Sequence, residues 1–487
     1  MKNLKDILNQ VSILQVVGQT NIEVHQLVFD SRKIEKNDVF VAQKGVAVDG
    51  HLYIDKAISL GANTIVCEAI PEAKKDGVTY VQVEDANSAL AIMASNFYDN
   101  PSRKIPLIGI TGTNGKTTIA SLLYQLFKKA GYKVGLLSTV IIKVDEIDFK
   151  ATHTTPDSVT INRYLDAMIN AGVDYCFMEV SSHGIHQKRT AGLTFAGGIF
   201  TNLSHDHLDY HNTLAEYRDV KKQFFDALPK SAFALTNIDD KNGSFMLQNT
   251  KARKKTYALK TFADFKSKIL EKQLSGTLIN VAGTEVWTKL IGVFNIYNLT
   301  AIIATAELLG LERLEVLTIV SQLESVSGRF EYIVSNDGVT AIIDYAHTPD
   351  ALKNVLETIN DIRTGNENVL TVIGCGGDRD KMKRPKMAHI STQLSTQVIF
   401  TTDNPRTENP ETILEEMESG VLPENEIKTL TVLNRKQAIK TACKLSKTGD
   451  IILIAGKGHE NYQEINGVRT HFDDLEEVQN CFNQLKK

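Results

Sequence analysis

The chain lacks the features that mark secreted and membrane proteins. No apolar run approaches the roughly 20 residues that a membrane-spanning helix needs, and residues 1–6 carry no apolar core of a signal peptide. The net charge of −4 gives no indication of nucleic acid or an anionic membrane as a partner. Five scattered cysteines without C-x-x-C spacing are typical of reduced thiols rather than of disulfides or a zinc site. We therefore expect a cytoplasmic protein that neither inserts into a membrane nor binds nucleic acid. The cysteines are Cys67, Cys176, Cys375, Cys443 and Cys481.

The length of 487 residues suggests about three domains, each able to bury its own core. Residues 1–101 contain short strand candidates separated by helical stretches, and Asn100 to Lys104 is a plausible linker. A larger unit follows at 102–333, and the strand pattern restarts to give a third unit at 334–487. Strands alternate with helices throughout, which predicts an α/β fold with mostly parallel sheets.

A glycine-rich turn at Thr111-Gly-Thr-Asn-Gly-Lys-Thr-Thr118 is the most informative stretch. A short apolar run precedes it, and apolar residues recur after it from Ile119 to Ala130 with helical spacing. A strand followed by a glycine turn and a helix N-terminus favours phosphate binding, with Lys116 near the terminal phosphates and the Thr117 hydroxyl on Mg²⁺. The strict phosphate-loop pattern has glycine where this chain has Ile110. The turn therefore predicts a variant nucleotide loop.

Polar residues also follow other predicted strands of the central unit. Glu179 ends one strand and could hold Mg²⁺ beside the nucleotide loop, although a capping or salt-bridged carboxylate would also fit. His207 and His211 are four residues apart, so they would share a helix face. Three interpretations stay open: a zinc site without the usual Glu of H-E-x-x-H, one histidine assisting a Mg²⁺ site, or surface histidines.

The third unit places charged loops after four predicted strands. Asp344 and His347 could contact a nucleotide, or form a plain turn. The loops that carry Arg379, Arg406 and Glu460 could line one pocket for a zwitterion, because guanidinium groups bind carboxylate and Glu binds ammonium. A solvated charged surface is the alternative for each loop taken alone.

Taken together, these strings resemble the Mur ligase family over nearly the whole chain. Thr111 to Thr118 matches the family's own form of the phosphate loop, which accounts for Ile110. Asp403-Asn-Pro-Arg406 is similar to the string found in members that add meso-diaminopimelate. The resemblance implies a three-domain architecture with a P-loop central domain and a Rossmann-like C-terminal domain.

The resemblance also implies roles for individual residues. Lys116, Glu179, His207 and Lys221 would be catalytic, with Thr117, Glu179, His207 and a carbamylated Lys221 holding Mg²⁺. The residues alone would make Lys221 a surface lysine, and neighbouring Lys222 leaves the register open. ATP would contact Gly112, Thr113, Asn114, Gly115, Lys116, Thr117, Thr118, Asn295, Asn298, Arg329, Asp344 and His347.

Two further sets are implied for the other substrates. The UDP-linked substrate would contact Ser31, Thr154, Thr155, Ser181, Gln187 and Arg189. Diaminopimelate would contact Arg379, Asp403, Asn404, Pro405, Arg406, Gly456 and Glu460.

The implied reaction is the ATP- and Mg²⁺-dependent ligation of meso-2,6-diaminopimelate to UDP-N-acetylmuramoyl-L-alanyl-D-glutamate through an acyl phosphate, in peptidoglycan precursor synthesis, by a monomer. The alternatives are the same ligation with L-lysine and a folylpolyglutamate synthetase-like reaction. A P-loop ATPase that drives movement and an inactive UDP-sugar-binding module are more distant alternatives.

Overall fold

The computed structural model describes residues 2–45, 48–204, 206, 210–485 and 487. The first unit has a two-stranded sheet and a five-stranded sheet of order β2-β7-β6-β5-β4, parallel except for β2. Its strands are β1 (Lys2–Asn3), β2 (Ile13–Val17), β3 (Glu23–Val24), β4 (Leu27–Val28), β5 (Val39–Val41), β6 (Thr64–Cys67) and β7 (Thr79–Val83). Its helices are α1 (Leu4–Ile7), α2 (Ile54–Leu60) and α3 (Ala86–Phe97), with 3₁₀ turns at Ser31–Lys33 and Gly50–Tyr53.

The central unit is built on one sheet of order β11-β10-β9-β12-β8-β13-β14-β15-β16-β17-β18. Its strands are β8 (Leu107–Thr111), β9 (Val134–Leu137), β10 (Ile141–Val144), β11 (Ile147–Lys150), β12 (Tyr175–Glu179), β13 (Gly197–Phe200), β14 (Phe233–Asn237), β15 (Arg253–Ala258), β16 (Phe265–Gln273), β17 (Gly276–Val281) and β18 (Thr284–Thr288). Its helices are α4 (Lys116–Lys129), α5 (Ser158–Asn170), α6 (Ser182–His186), α7 (Leu214–Asp226), α8 (Gly243–Met246), α9 (Val293–Leu308) and α10 (Arg313–Val320).

Parallel strands at the middle of this sheet set the position of the predicted nucleotide loop. β8 lies between β12 and β13, and all three run parallel. The apolar residues of α4 and α9 pack on one face of the sheet, and those of α5 and α7 pack on the other. The carboxyl ends of β12, β8 and β13 therefore meet at one edge, as the sequence predicted.

The third unit has a sheet of order β19-β20-β24-β21-β22-β23, parallel except for β19. The strands of this sheet are β19 (Glu331–Val334), β20 (Thr340–Asp344), β21 (Val369–Ile373), β22 (Gln397–Phe400), β23 (Thr429–Thr431) and β24 (Ile451–Ala455). Two further strands, β25 (Tyr462–Ile465) and β26 (Val468–His471), pair with each other. Its helices are α11 (Pro349–Ile362), α12 (Lys383–Leu394), α13 (Pro410–Glu418), α14 (Arg435–Leu445) and α15 (Asp474–Leu485). The α/β fold with mostly parallel sheets that the sequence predicted is confirmed, with antiparallel pairs at both ends of the central sheet.

The connections between units are ordered, packed segments. The predicted linker contains the 3₁₀ turn Pro101–Arg103, in which the Ser102 hydroxyl accepts a hydrogen bond from the Thr194 amide at 3.0 Å. At the second connection, the Gly328 carbonyl accepts from the Tyr345 amide, and the Asp344 carboxylate accepts from the Phe330 amide at 2.7 Å. We propose boundaries at 101/102 and 333/334. The second falls inside β19, which pairs with β20, so Gly328 and Phe330 bond to the third unit although they precede that boundary.

Within the described part of the chain, no helix combines the length and apolar character that crossing a membrane requires.

A fully buried ion pair joins α14 to α15 in the third unit. The Arg435 guanidinium donates to the Asp474 carboxylate at 2.8 and 2.7 Å, and both side chains are 0% exposed. Arg435 also donates to the Ala455 carbonyl at 3.1 Å, at the end of β24. Because buried charges need a partner, the pair fixes the end of a central strand.

Arg435→Leu is therefore expected to leave the Asp474 carboxylate buried without its partner. The opening free energy of the β24 amides should fall by about 3–5 kcal/mol, measured by hydrogen exchange and mass spectrometry on the full chain. The double variant Arg435→Leu/Asp474→Leu should recover part of this loss, because neither charge remains. Lys353→Met, which breaks the exposed pair with Glu357 on α11, is the control and should leave β24 exchange near wild type. Equal exchange in the single and double variants would contradict the expectation.

Candidate functional site

The predicted nucleotide loop leaves β8 at Thr111 and enters α4 at Lys116. Gly112 and Gly115 have φ of +145° and +89°, which other residues rarely adopt. A Cβ at Gly112 would lie 1.9 Å from the Thr201 hydroxyl, and one at Gly115 would lie 2.5 Å from Asn298 Oδ1. The two glycines therefore let the loop pass tightly between β13 and α9, with the free amides of the α4 N-terminus at its mouth.

Backbone and side-chain hydrogen bonds hold this loop in place. The Thr113 amide donates to the Asn202 carbonyl at 2.8 Å, and the Asn114 amide donates to the Asn202 side chain at 3.0 Å. Lys116 Nζ folds back onto the Gly112 and Thr113 carbonyls at 3.0 and 2.8 Å. Burial lowers the pKa of Lys116, and nearby Glu179 opposes that shift. The lysine therefore lies against the backbone of the loop itself.

Oxygen donors suitable for Mg²⁺ meet beside the loop. The Thr117 hydroxyl donates to Glu179 Oε2 at 3.0 Å, and Glu179 Oε1 accepts from the Thr139 amide at 2.7 Å. Glu179 is 1% exposed. A hydroxyl and a carboxylate are the hard oxygen ligands that Mg²⁺ prefers, so these two residues fit the ion.

The third predicted metal ligand, His207, lies outside the described residues. His211 is buried, with Nδ1 4.0 Å from Glu216 Oε1. Among the residues that the structure describes, no three His, Cys, Asp or Glu side chains form a metal-binding group. The role of His207 and the zinc alternative therefore stay predictions.

Lys221 is buried on α7, so the expectation of a surface lysine from the residues alone was wrong. Its Nζ donates to the Gly112 carbonyl at 2.9 Å, in the nucleotide loop itself. Burial lowers its pKa well below the usual value, and the charge of Lys116 lowers it further. Lys222 instead pairs with Asp226, one turn along the helix, at 2.6 Å. The structure therefore distinguishes the two lysines: Lys221 is the one at the loop.

A cavity of about 550 Å³ begins at the loop and is lined by residues of both the central unit and the third unit. Asn298, Arg329, Asp344 and His347 line it together with Asn114, Gly115 and Thr118. Asn295 is buried and accepts from the Asn298 amide group at 3.3 Å, so it supports the wall. Nearly all residues predicted for the nucleotide therefore lie on or beside one cavity.

Two residues predicted to contact the nucleotide, Asp344 at the end of β20 and His347 just after it, are buried ionisable groups. Burial raises the pKa of Asp344 to about 6, against the opposing charge of Arg329. Burial lowers the pKa of His347 to about 4, so its ring is neutral near pH 7. Arg329 NH2 lies 3.3 Å from the Thr117 hydroxyl, which joins the segment between α10 and β19 to the nucleotide loop.

Sequence reasoning missed the far wall of the cavity. There Asp239 accepts hydrogen bonds from the amides of Leu259, Lys260 and Thr261, each at 2.8 Å, and from the Tyr297 hydroxyl at 2.8 Å. These contacts fix the loop after β15 against α9. The only sequence signal is Asn237-Ile-Asp-Asp240 at the end of β14, and residues of these types are common in turns.

Most of the residues predicted for the UDP-linked substrate form one cluster beside β12. The Arg189 guanidinium donates to the Thr155 carbonyl at 2.6 Å and to Gln187 Oε1 at 2.6 Å. The Thr155 hydroxyl in turn accepts from the Ser181 amide at 2.9 Å. Thr154 lies next to this cluster and accepts from the Thr139 hydroxyl at 3.1 Å. The cluster thus adjoins Glu179, which shares Thr139 as a neighbour.

Ser31 is the remaining member of that set and lies in the first unit. It begins the 3₁₀ turn Ser31–Lys33 and is buried, with the Asp30 carboxylate capping the turn through the Arg32 amide at 3.1 Å.

The loops after β21, β22 and β24 come together at the carboxyl edge of the third sheet. The Gly377 amide donates to the Asn404 carbonyl at 2.9 Å, and a Cβ at Gly377 would lie 1.9 Å from the Pro405 carbonyl. A Cβ at Gly456 would lie 2.7 Å from Asp403 Oδ2. Close packing of this kind requires both glycines and brings the three predicted loops together at one site.

Side chains of both charge signs lie where these three loops meet. Asn404 Nδ2 donates to Glu460 Oε2 at 2.7 Å, and Arg406 NH1 donates to the Gly377 carbonyl at 2.7 Å. Arg379 is exposed at the rim, where its NH1 donates to the Asp378 carbonyl at 2.9 Å. Sequence reasoning missed Lys457, whose ammonium is fully buried among these residues.

Three family profiles match the chain. Residues 23–98 match "Mur ligase family, catalytic domain", residues 110–306 match "Mur ligase middle domain", and residues 328–458 match "Mur ligase, glutamate ligase domain".

Known relatives match over the full length. Proteins named UDP-N-acetylmuramoyl-L-alanyl-D-glutamate–2,6-diaminopimelate ligase are 52% identical in Cytophaga hutchinsonii, over 99% of this chain and 100% of theirs, and 39% identical in Clostridioides difficile, over 99% and 100%. A solved structure with the same name superposes with a TM-score of 0.70 at 30% identity, covering 100% of this chain and 99% of that one. MurF from Thermotoga maritima, in complex with ADP, shares the fold with a TM-score of 0.63 at 19% identity, over 95% and 97%. With three matching domains and relatives of this similarity, the chain belongs to the Mur ligase family.

Proposed function

We propose that the protein uses ATP to join meso-2,6-diaminopimelate to UDP-N-acetylmuramoyl-L-alanyl-D-glutamate, which forms an amide bond in a peptidoglycan precursor. The names of the full-length relatives support this proposal. The single observation that carries it in this chain is the pocket in which Arg406 lies beside Asn404 and Glu460. Such a pocket suits an acceptor with both a carboxylate and an ammonium at its far end.

ATP would bind with its phosphates at the nucleotide loop and its nucleoside in the cavity described above. The residues assigned to it are Gly112, Thr113, Asn114, Gly115, Lys116, Thr117, Thr118, Asn295, Asn298, Arg329, Asp344 and His347. Lys116 would release the loop carbonyls and donate to the terminal phosphate. When bound by Thr117 and Glu179, Mg²⁺ would neutralise charge on the phosphates. His207 completes this proposed set.

The UDP-linked substrate would be held by Ser31 in the first unit and by the cluster of Thr154, Thr155, Ser181, Gln187 and Arg189. Its reacting carboxylate would then approach the nucleotide loop from the β12 side, where Thr139 contacts both Thr154 and Glu179. Arg189 is the cationic group of this cluster and suits an anionic substrate.

A carboxylate does not react with an amine directly, because oxide is too poor a leaving group. The D-glutamate γ-carboxylate would attack the γ-phosphorus of ATP and form an acyl phosphate and ADP. The acceptor amine would then attack the acyl carbon, and the tetrahedral intermediate would collapse to the amide and phosphate. Lys116 would stabilise the charge that develops on the transferred phosphoryl group, so most of the catalysis is positioning and electrostatics.

Lys221 is proposed to carry a carbamate. Its Nζ lies beside the loop, and carbamylation would convert the buried amine into an anion that could hold a second Mg²⁺. The acceptor would be bound by Arg379, Asp403, Asn404, Pro405, Arg406, Gly456 and Glu460. We also propose that the protein acts as a cytoplasmic monomer.

Lys116→Ala is expected to lower kcat by at least about a thousand-fold, because it removes the cation nearest the transferred phosphoryl group. Phosphate release in the presence of all three substrates measures this. Lys129→Ala, an exposed lysine on the same helix, is the control and should keep wild-type turnover. Near-normal ligation by Lys116→Ala would refute the assignment of the phosphate loop.

Arg406→Ala is expected to raise KM for meso-diaminopimelate by about 10- to 100-fold, because a charge-assisted hydrogen bond to the acceptor carboxylate is lost. The KM for the UDP-linked dipeptide should change by less than about two-fold, since the Arg189 cluster is in another unit. Arg313→Ala, which breaks an exposed pair with Glu307, is the control. Equal changes in both KM values would contradict the pocket as proposed.

The acceptor itself is tested with the wild-type protein. Phosphate release should depend on meso-diaminopimelate when ATP, Mg²⁺ and the UDP-linked dipeptide are present, and L-lysine and L-ornithine should support much less, because neither carries a second carboxylate for Arg406. If phosphate is released faster with L-lysine than with meso-diaminopimelate, L-lysine is the acceptor and the proposed acceptor is wrong. Release that needs no amino acid would point instead to an ATPase.

A further inference from the structure

Lys457 is a buried cation that none of the roles above includes. It follows Gly456 directly after β24, and its side chain is 0% exposed. Its Nζ donates to Asn404 Oδ1 at 3.2 Å and lies 3.5 Å from Glu460 Oε2 and 3.9 Å from Asp403 Oδ1. The ammonium therefore lies between the two carboxylates and the amide of the acceptor pocket.

The electrostatics of the pocket require such a cation. Asp403 and Glu460 are 8% and 16% exposed, so water screens their mutual repulsion poorly. Burial and Asp403 raise the pKa of Glu460, and Lys457 opposes that shift. Lys457 thus places one positive group between the two carboxylates, and Arg406 is a further cation that acts on Glu460.

Hydrogen bonds to Asn404 set the orientation of its amide. Asn404 Oδ1 accepts from both Lys457 Nζ and the Glu464 amide, at 3.2 and 2.9 Å. Two donors at one end identify that end as the oxygen, so the Nδ2 end faces Glu460 and donates to Oε2 at 2.7 Å. Glu460 is thereby held through one of its two oxygens.

The backbone explains why the lysine reaches this position. Gly456 has φ of +115°, and a Cβ there would lie 2.7 Å from Asp403 Oδ2. The backbone therefore passes close to Asp403 at Gly456, and the side chain of residue 457 is directed into the protein rather than toward solvent.

We propose that Lys457 is the positioning residue of the acceptor pocket: its ammonium orients Asn404 and Glu460 so that the pocket selects an acceptor by the ammonium at its far end. This inference rests on the proposed function and deepens it. The substrate class is an amino acid with both a carboxylate and an ammonium distant from the reacting amine. Arg406 selects the carboxylate, and the Lys457 cluster selects the ammonium.

The test compares two acceptors that differ in one group. Meso-diaminopimelate carries the distal ammonium, and 2-aminopimelate has both carboxylates and the reacting amine but lacks that ammonium. The wild-type protein should prefer the first acceptor in kcat/KM. Lys457→Met, which keeps the length of the stem, should reduce this preference by about 10- to 100-fold, through KM of meso-diaminopimelate, with KM of ATP within about two-fold of wild type.

Two further variants separate positioning from folding. Lys457→Gln keeps a hydrogen-bond donor without the charge and should show an intermediate preference, so a result remains if Lys457→Met fails to fold. Lys444→Met, at an exposed lysine of α14, is the matched control and should keep the wild-type preference. In a double-mutant cycle with Glu460→Gln, the effects of Lys457→Met should be far from additive, because both changes act on one group.

The outcomes distinguish this inference from the proposed function. An unchanged preference in folded Lys457→Met would overturn the role of Lys457 and leave the proposed function intact. A lysine that only supports the fold would lower kcat/KM for both acceptors equally, which also overturns the role. If the wild type releases phosphate with L-lysine instead of meso-diaminopimelate, the proposed function fails, and a raised KM for lysine in Lys457→Met then supports the role.

Discussion

The close passage of the nucleotide loop between β13 and α9 is the constraint on which the site depends. Because Gly112 and Gly115 have no Cβ, the Thr201 hydroxyl can lie against the loop at Gly112, and the Asn298 side chain can lie against it at Gly115. Because the loop is confined in this way, its carbonyls meet Lys116 and Lys221, and the helix that follows presents Thr117 to Glu179. Elements that are distant in sequence therefore meet at the eight residues of the loop, 111–118. Their contacts fix the backbone that would bind the phosphates.

Local sequence patterns predicted the scaffold well and the burial of charged groups poorly. The strand before the loop and the helix after it follow from apolar runs and helical spacing, and the structure confirms both as β8 and α4. β8 starts at Leu107, directly after Pro106, which has no amide to donate to a neighbouring strand. Lys221 looked like a surface lysine, because only tertiary packing shows that its helix face points at Gly112.

The third sheet shows a similar limit. Parallel strands place their following loops at one edge, so the sequence predicted that Arg379, Arg406 and Glu460 would gather there. It could not predict which charges would be neutralised. No pattern in the sequence distinguishes Lys457, which follows Gly456 with its positive φ and lies buried 3.9 Å from Asp403 Oδ1. Backbone conformation, more than residue type, determined which lysine became part of the pocket.

The hydrogen bonds at the second connection also locate the joint between two units. Gly328 and Phe330 are bonded to Tyr345 and Asp344, so the segment from Gly328 onward belongs mechanically to the third unit. The joint must therefore lie between the end of α10 at Val320 and Gly328. Arg329, which contacts Thr117 in the nucleotide loop, travels with the third unit. Any rotation of that unit would therefore make or break the contact between Arg329 and the nucleotide loop, which couples the orientation of the unit to the conformation of the loop.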